Sequence, residues 1–130
     1  MTITDTIDFA KLDGLVPAVV QHATTRRVLM VGFMNAAALE ATLRSGRVTF
    51  FSRSKNRLWT KGESSGHTLD VVDIAVDCDA DSLLVSVRPV GPGVCHEGYE
   101  SCFFRTATAD RWTVTDDRSF SPADVYGGAR

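Results

Sequence analysis

Long hydrophobic runs are absent from this chain of 130 residues, and cysteine is scarce. Because no apolar stretch approaches the length of a membrane-spanning helix, we expect no membrane partner. Residues 1–5 hold neither a basic region nor an apolar stretch, so we expect no signal peptide. The three cysteines are an odd number. Without a secretion signal, they predict a cytoplasmic protein whose thiols bind metals or react.

A strong excess of either charge is also absent. The formal net charge is -2, which gives no reason to expect a nucleic-acid partner. The charges are nevertheless segregated, since residues 44–62 carry only basic charged side chains and residues 70–81 carry only acidic ones. This arrangement suits a phosphorylated substrate held next to a metal, although charges solvated on loops would give the same pattern.

Repeats, low-complexity segments and linkers are missing too, which predicts a single domain over residues 1–130. Residues 16–23 and 27–33 are apolar and β-branched around a polar turn, a pattern typical of a β-hairpin. Alternating or apolar runs predict further strands at residues 48–52, 57–60, 69–78 and 83–90.

One helix is predicted among these strands. Asn35 can cap it at the N-terminus and Gly46 can end it, while Leu39 and Leu43 share its predicted core face. One main helix with many short strands predicts an α+β fold with a mainly antiparallel β-sheet. Residues 106–130 are polar, which predicts a peripheral tail whose last few residues are mobile.

Every cysteine lies in one of two short stretches that hold a second metal-binding side chain. Cys78 lies among the aspartates of residues 77–81, and Cys95 precedes His96, with Cys102 seven residues after Cys95. A closed structural zinc site normally has four protein ligands, whereas three ligands leave a position open for water or substrate. The pattern therefore predicts a catalytic zinc centre. Small buried hydrophobic side chains are the alternative.

Asp77, Asp79 and Asp81 form a second candidate metal site. Side chains alternate along a strand, so the Cys78 thiol and the Asp77 carboxylate are predicted to point in different directions. Soft sulfur suits zinc and hard carboxylate oxygens suit magnesium, which predicts two sites rather than one. An EF-hand is excluded, because the required glycine and glutamate are missing from their positions. Plain turn chemistry is the alternative.

The loop at residues 61–67 is rich in glycine and hydroxyl groups. Such a loop can hold phosphate through backbone N–H groups and the Lys61 ammonium, and we include Glu63 and Ser65 among the substrate-binding candidates. Trp59, just before the loop, can stack on a purine or fill the core. An ordinary turn is the alternative for the loop itself.

Taken in order, these motifs resemble a known family. The matching segments are SRS at 52–54, LWTKGESSGH at 58–67, DCDAD at 77–81, CHEG at 95–98 and SCF at 101–103. Together they are similar to the phosphoribosyl-AMP cyclohydrolases of histidine biosynthesis, and the resemblance covers residues 9–105. It implies a homodimer in which the zinc site is shared between subunits. It assigns zinc to Cys78, Cys95 and Cys102, and magnesium to Asp77, Asp79 and Asp81.

The resemblance also implies a reaction. It is the hydrolytic opening of the adenine ring of phosphoribosyl-AMP at the C6–N1 bond, giving the formimino aminoimidazole carboxamide ribonucleotide. His96 and His67 are the candidates for moving protons. Arg53 is the preferred phosphate ligand, because a guanidinium offers bidentate contacts. A non-catalytic zinc-bound interaction module, closed by His96, and a different zinc hydrolase acting on nucleotides are the alternative functions.

Overall fold

The structure is a computed structural model and describes residues 1–126. The predicted mobility of the last few residues concerns residues 127–130 and so lies outside the described part. The strands are β1 (Val16–His22), β2 (Val28–Met34), β3 (Thr49–Ser52), β4 (Arg57–Thr60), β5 (Leu69–Val76), β6 (Leu83–Pro89), β7 (Arg105–Thr108) and β8 (Arg111–Val114). A 3-10 turn (Thr4–Thr6), the main helix α1 (Ala36–Ser45) and a short helix α2 (Pro122–Tyr126) complete the described elements.

Four strands form the central sheet in the order β2-β1-β6-β5. The pairs β1–β2 and β5–β6 are antiparallel, as are the two separate hairpins β3–β4 and β7–β8. The predicted α+β fold with a mainly antiparallel sheet is therefore confirmed. One pair departs from the rule, since β1 and β6 run parallel in the middle of the sheet.

Helix α1 begins and ends where the sequence predicts. The backbone N–H of Ala38 donates to Asn35 Oδ1 at 2.8 Å, and Gly46 follows with a φ of 74°, a conformation that glycine adopts without strain. Leu39 is fully buried, but the prediction for Leu43 is wrong, because its side chain is 42% exposed. Buried Thr42 lies towards the core instead and donates its hydroxyl to the Ala38 carbonyl at 2.9 Å.

The core lies between the inner face of the sheet, α1 and the β3–β4 hairpin. Phe50 of β3 is 1% exposed, and a Cβ atom at Gly32 would lie only 2.4 Å from its ring. Glycine at position 32 therefore lets β2 and β3 approach closely. Trp59 of β4 packs on Phe50 with ring centroids 5.1 Å apart, so the core reaches the strand that leads into the loop at residues 61–67.

The opposite face of the sheet carries an apolar row, which we call the outer row. It runs across all four strands in register, through Val31, Val19, Leu84 and Ala75. Val31 is 42% exposed and Leu84 is 38% exposed, so hydrophobic side chains at this face remain open to water. Among the described residues, no helix has the length and apolar character needed to cross a membrane.

Candidate active site

The three aspartates lie on the turn between β5 and β6. Strand β5 ends at Val76, so Asp77 and Cys78 belong to the turn rather than to the strand. Asp77 Oδ1 accepts the backbone N–H groups of Asp81 at 2.9 Å and Ser82 at 3.1 Å, which closes the turn. Oxygen atoms of Asp77, Asp79 and Asp81 lie within 4.8 Å of one another. The structure thus brings the three predicted magnesium ligands together.

A lysine that sequence reasoning missed lies against this cluster. Lys11 Nζ is 3.0 Å from both Asp79 Oδ2 and Asp81 Oδ2. The N-terminal segment is held there because the N–H of Asp8 donates to the carbonyl of Ala80 at 2.7 Å. No local pattern in the sequence indicates this contact, since Lys11 is about seventy residues away from its partners.

The charged groups in this cluster change one another's pKa values. Hydrogen bonding to Lys11 lowers the pKa of Asp79 to about 2. Lys11 also lowers the pKa of Asp81, but hydrogen bonds with Asp79 and Asp77 outweigh it, so the net shift of the Asp81 pKa is upward. The Asp79 and Asp81 carboxylates in turn raise the pKa of Lys11. Crowded carboxylates that need a cation beside them are chemically suited to a hard divalent ion.

Cys95 and Cys102 lie at the two ends of residues 95–102, which we call the cysteine loop. Its backbone is folded on itself, because Cys95 N–H donates to the Tyr99 carbonyl at 3.2 Å and Gly98 N–H to the Cys95 carbonyl at 3.0 Å. Cys102 N–H donates to the carbonyl of Leu29 on β2 at 2.7 Å, which fixes the loop on the sheet. This side-chain and backbone arrangement holds both thiols at one place.

The surroundings of Cys95 are apolar. Cys95 is 3% exposed and belongs to a small separate apolar cluster with Tyr99 and Phe104, whose rings stack at 3.8 Å. Its thiol is near enough to the Cys102 thiol to influence the pKa of Cys102. Burial and the neighbouring Cys95 raise the pKa of Cys102 to about 11, so the Cys102 thiol is protonated at neutral pH until a cation displaces its proton.

Cys78 does not join the other two thiols within one chain. It is exposed on the carboxylate turn. Over residues 1–126, the aspartate cluster is the only group of three or more histidine, cysteine or acidic residues whose ligand atoms gather within 4.8 Å. The three cysteines predicted to bind zinc are thus divided into the Cys95–Cys102 pair, of which only Cys95 is buried, and the separate, exposed Cys78.

A cationic cleft opens beside the cysteine loop. Its volume is about 510 Å³, and it is lined by Ser52, Lys55, Arg57, Trp59, Lys61, Glu63, Ser64 and His96. The β3–β4 hairpin supplies the cations, and Arg57 is held by an ion pair with Glu63 at 2.9 Å. Lys61 Nζ lies 5.9 Å from the centre of the Trp59 ring. Burial lowers the pKa of Lys61, while charge on Cys102 and Cys95 acts in the opposite direction.

Two predicted substrate ligands lie outside this cleft. Ser65 lines a neighbouring hollow of about 150 Å³, together with Trp59 and Lys61. Arg53 lies on the other side of the β3–β4 hairpin, where its guanidinium is 5.2 Å from the centre of the Phe33 ring. It lines a separate hollow of about 290 Å³ that also contains Lys11. Within one chain, Arg53 is therefore separated from Lys55 and Arg57, which line the cleft.

The two candidate histidines have different surroundings. His96 is exposed and lines the cleft. His67 is half-buried, and its Nδ1 atom is buried without a hydrogen-bond partner. Its ring fits against Gly91, where a Cβ atom would lie 2.3 Å from His67 Cδ2, and stands edge-on to Phe120 with ring centroids 4.9 Å apart. Only His96 faces the cleft directly.

A small α+β domain with a cationic cleft, a thiol pair and a carboxylate cluster is the framework of an enzyme that acts on an anionic small molecule. The comparisons with known proteins are more specific. Residues 30–104 match the family model described as phosphoribosyl-AMP cyclohydrolase, and the chain belongs to this family. The resemblance seen in the sequence motifs is thus confirmed.

Curated relatives include single-function and bifunctional proteins. The chain is 57% identical over 122 residues to a phosphoribosyl-AMP cyclohydrolase of Solibacter usitatus, covering 94% of this chain and 97% of the relative. It is 47% identical over 121 residues to one from Geobacter sulfurreducens, covering 93% and 97%. It is 63% identical over 97 residues to the histidine biosynthesis bifunctional protein HisIE of Salmonella typhimurium, covering 75% of this chain and 47% of that protein.

Proposed function

We propose that this protein opens the adenine ring of phosphoribosyl-AMP by hydrolysis, as a step of histidine biosynthesis. Water adds to C6, the C6–N1 bond breaks, and N1 receives a proton, so that no ammonia leaves. Family membership supports this reaction. The observation that carries the proposal is the cationic cleft, which places an aromatic ring, three cations and His96 around one space next to Cys95.

The cleft fits the two ends of such a substrate. Lys55, Arg57 and Lys61 supply positive charge for phosphate groups, and the side chains are close enough together to act on one ligand. Trp59 is backed by Phe50 in the core and presents its ring to the cleft, which suits stacking on a purine. Arg53 remains our proposal for a further phosphate ligand, reached from the Phe33 side of the hairpin.

Proton movement is assigned to histidine. His96 lies in the cleft and is the neighbour of Cys95, so it can take a proton from the attacking water or give one to N1. His67 is the second candidate, because its unpartnered Nδ1 is free to accept a proton or hydrogen bond. Lys61 is held near the two thiols and can stabilise negative charge there.

We propose zinc at Cys78, Cys95 and Cys102 and magnesium at Asp77, Asp79 and Asp81. The donor sets support the assignment, since two adjacent thiols suit zinc and clustered carboxylates suit magnesium. When bound, zinc supplies a Lewis acid that makes water nucleophilic at neutral pH. Free thiols also fit the reducing cytoplasm in which we place the protein.

We further propose a homodimer in which the zinc site is shared. Cys78 is exposed and stands apart from the Cys95–Cys102 pair, so a second subunit can supply the missing thiol to each pair. The outer row offers an apolar surface for the contact. A hollow of about 320 Å³ in this face contains Val19 and Leu84 and ends at Asp77, which puts the apolar surface next to the turn that carries Cys78.

A ring-opening assay tests the function. The purified chain, supplied with zinc and magnesium, is expected to convert phosphoribosyl-AMP to the ring-opened product, followed by the change in ultraviolet absorption. AMP, which lacks the second phosphoribosyl group on N1, is the control substrate and is expected to stay intact. Full metal loading without turnover of phosphoribosyl-AMP would rule out the proposal.

A further inference from the structure

The cysteine loop is covered by a segment that lies outside the match to the family model, which ends at residue 104. This segment, residues 116–120, follows the β7–β8 hairpin, and we call it the strap. Its first contact goes through Arg27, which pairs with Asp116 of the strap and, at 2.9 Å, with Glu100 of the loop. One guanidinium on the rim of the sheet therefore ties the strap and the loop together.

Arg118 makes the second contact. Its Nε donates to the carbonyl of Glu97 at 2.9 Å, and its guanidinium lies 5.2 Å from the centre of the Tyr99 ring. Tyr99 in turn belongs to the small apolar cluster that buries Cys95. Arg118 thus donates a hydrogen bond to the Glu97 carbonyl and packs on the ring of Tyr99, which belongs to the same apolar cluster as Cys95.

The third contact is between backbones. The N–H groups of Ser119 and Phe120 both donate to the carbonyl of Gly98, at 2.7 and 3.2 Å. Gly98 has a φ of 98°, and a Cβ atom there would lie 2.6 Å from the Phe120 carbonyl oxygen. The loop and the strap therefore approach so closely that only glycine fits at this position.

The strap also reaches His67. The Phe120 ring stands edge-on to the imidazole, at 89° and 4.9 Å between centroids, and the imidazole also packs on Gly91. Because His67 Nδ1 has no hydrogen-bond partner, packing alone orients this ring. One short segment thus contacts both the cysteine loop and a candidate catalytic histidine.

We propose that the strap positions the cysteine loop and His67 before any ligand binds. The loop contains no helix or strand, and the backbone hydrogen bonds from Cys95 and Gly98 are its main internal support, so contacts from outside contribute to its order. Arg118 and Phe120 are positioning residues in this scheme, and they act through Tyr99, Gly98 and His67. The zinc part of the inference rests on the proposed function, whereas the ordering of the loop does not.

The test compares two double variants of the full chain. R118A/F120A removes the side-chain contacts of the strap, and R111A/W112A removes an arginine and an aromatic residue from the exposed β8 strand as a matched control. Hydrogen exchange of the metal-free proteins is measured first. In R118A/F120A the amides of Cys95, Gly98 and Cys102 are expected to exchange faster, by about three-fold or more, while those of β1 and β6 keep their wild-type rates.

Zinc affinity is the second readout, measured by competition with a chelator and checked by the cobalt(II) thiolate spectrum. The strap variant is expected to bind zinc about ten-fold more weakly, as is common when residues that support metal ligands are lost. The control is expected to match the wild type in both measurements. F120Y, which keeps the ring beside His67, is expected to keep the wild-type exchange rates.

Equal exchange of the loop amides in the strap variant and the wild type would overturn the inference. Acceleration of the β1 and β6 amides to the same degree would overturn it too, because the effect would then be global. These outcomes are separate from the proposed function. A wild-type chain that orders its loop through the strap but opens no ring would contradict the function and leave the inference intact.

Discussion

At the scale of single residues, the two candidate metal sites differ most in their surroundings. The Cys95 sulfur is buried among aromatic rings beside a second thiol, whereas the Asp79 carboxylate lies on an exposed turn with Lys11 as its partner. A buried cysteine beside a second thiol has few alternatives to a metal, because the pKa of that second thiol, Cys102, is raised and its ionised form is disfavoured. Exposed carboxylates keep water and lysine as alternative partners, so we expect a metal there to bind more weakly.

The first prediction separates the two sites. Cys95→Ser is expected to abolish tight zinc binding and activity together, because a hydroxyl is a poor replacement for a thiolate ligand. Asp79→Asn removes only carboxylate charge and is expected to leave the zinc content near the wild-type value while weakening the response to magnesium. Metal analysis of the purified variants checks this. If Asp79→Asn loses zinc as fully as Cys95→Ser, one mixed site must replace the two.

The second prediction concerns Lys11, whose ammonium occupies the position where a divalent cation would bind Asp79 and Asp81. Lys11→Met keeps the length of the side chain and removes the competing charge. We expect manganese or magnesium to bind roughly two- to five-fold more tightly, a modest gain because the site is exposed and screened. Calorimetric titration measures the affinity. Arg44→Met removes one positive charge from α1 as a control, and weaker binding by Lys11→Met would show that Lys11 instead preorganises the carboxylates.

At the scale of elements, α1 supports the strand that leads to the cleft. Thr42 on α1 accepts the N–H of Thr49 on β3 at 3.0 Å, and β3 pairs with β4, which carries Trp59. A substitution that weakens α1 is therefore expected to lower the free energy of unfolding of the whole domain. The β7–β8 hairpin has no comparable role in the core, since all eight of its strand residues are exposed.

The third prediction tests the cap of α1. Asn35→Ala removes the acceptor for the Ala38 N–H and is expected to lower the free energy of unfolding by about 1 kcal/mol. Urea denaturation measures the change. Asn35→Asp keeps a side-chain oxygen at the cap and is expected to unfold close to the wild-type midpoint. An unchanged free energy in Asn35→Ala would mean that tertiary packing alone holds the first turn.

At the scale of the whole molecule, the separation of Cys78 from the other cysteines and the exposed outer row both favour the proposed homodimer. A single chain leaves Cys78 apart from Cys95 and Cys102, and it leaves apolar side chains of a four-stranded sheet exposed to water. Burying that face against a second copy removes apolar surface from water, at about 25 cal/mol per Å². Assembly and metal binding are then linked, because each stabilises the other.

The fourth prediction tests this link. Leu84→Glu places a charge in the outer row at a residue that is 38% exposed in one chain, so the fold is expected to tolerate it. Sedimentation is expected to shift from dimer to monomer, and zinc affinity is expected to fall with it. Val114→Glu on β8 is a control at another exposed apolar residue. A Leu84→Glu protein that stays dimeric would place the interface on a different face.

The sequence by itself determined the main helix, the first six strands, the fold class and the family of this protein, whereas β7, β8 and α2 lie in the stretch that was predicted to be a tail. Alternation and capping are local patterns, so the hairpin at Val16–His22 and Val28–Met34 and the cap at Asn35 could be read without coordinates. The sequence indicated the three aspartates as one candidate metal site, although it predicted Asp77 on the strand rather than on the turn, and the order of the motifs identified the family. The prediction that Leu43 faces the core was wrong, because the spacing from Leu39 alone does not decide whether residue 42 or residue 43 is buried.

Only the tertiary structure decided which of these groups meet. The parallel pairing of β1 with β6 joins residues more than sixty positions apart, and no local period specifies it. The same holds for Lys11 at the carboxylates, for the position of Arg53 on Phe33, and for the strap on the cysteine loop. Each of these contacts depends on the path of the whole chain, because burial and charge pairing act between surfaces that only the completed fold brings together.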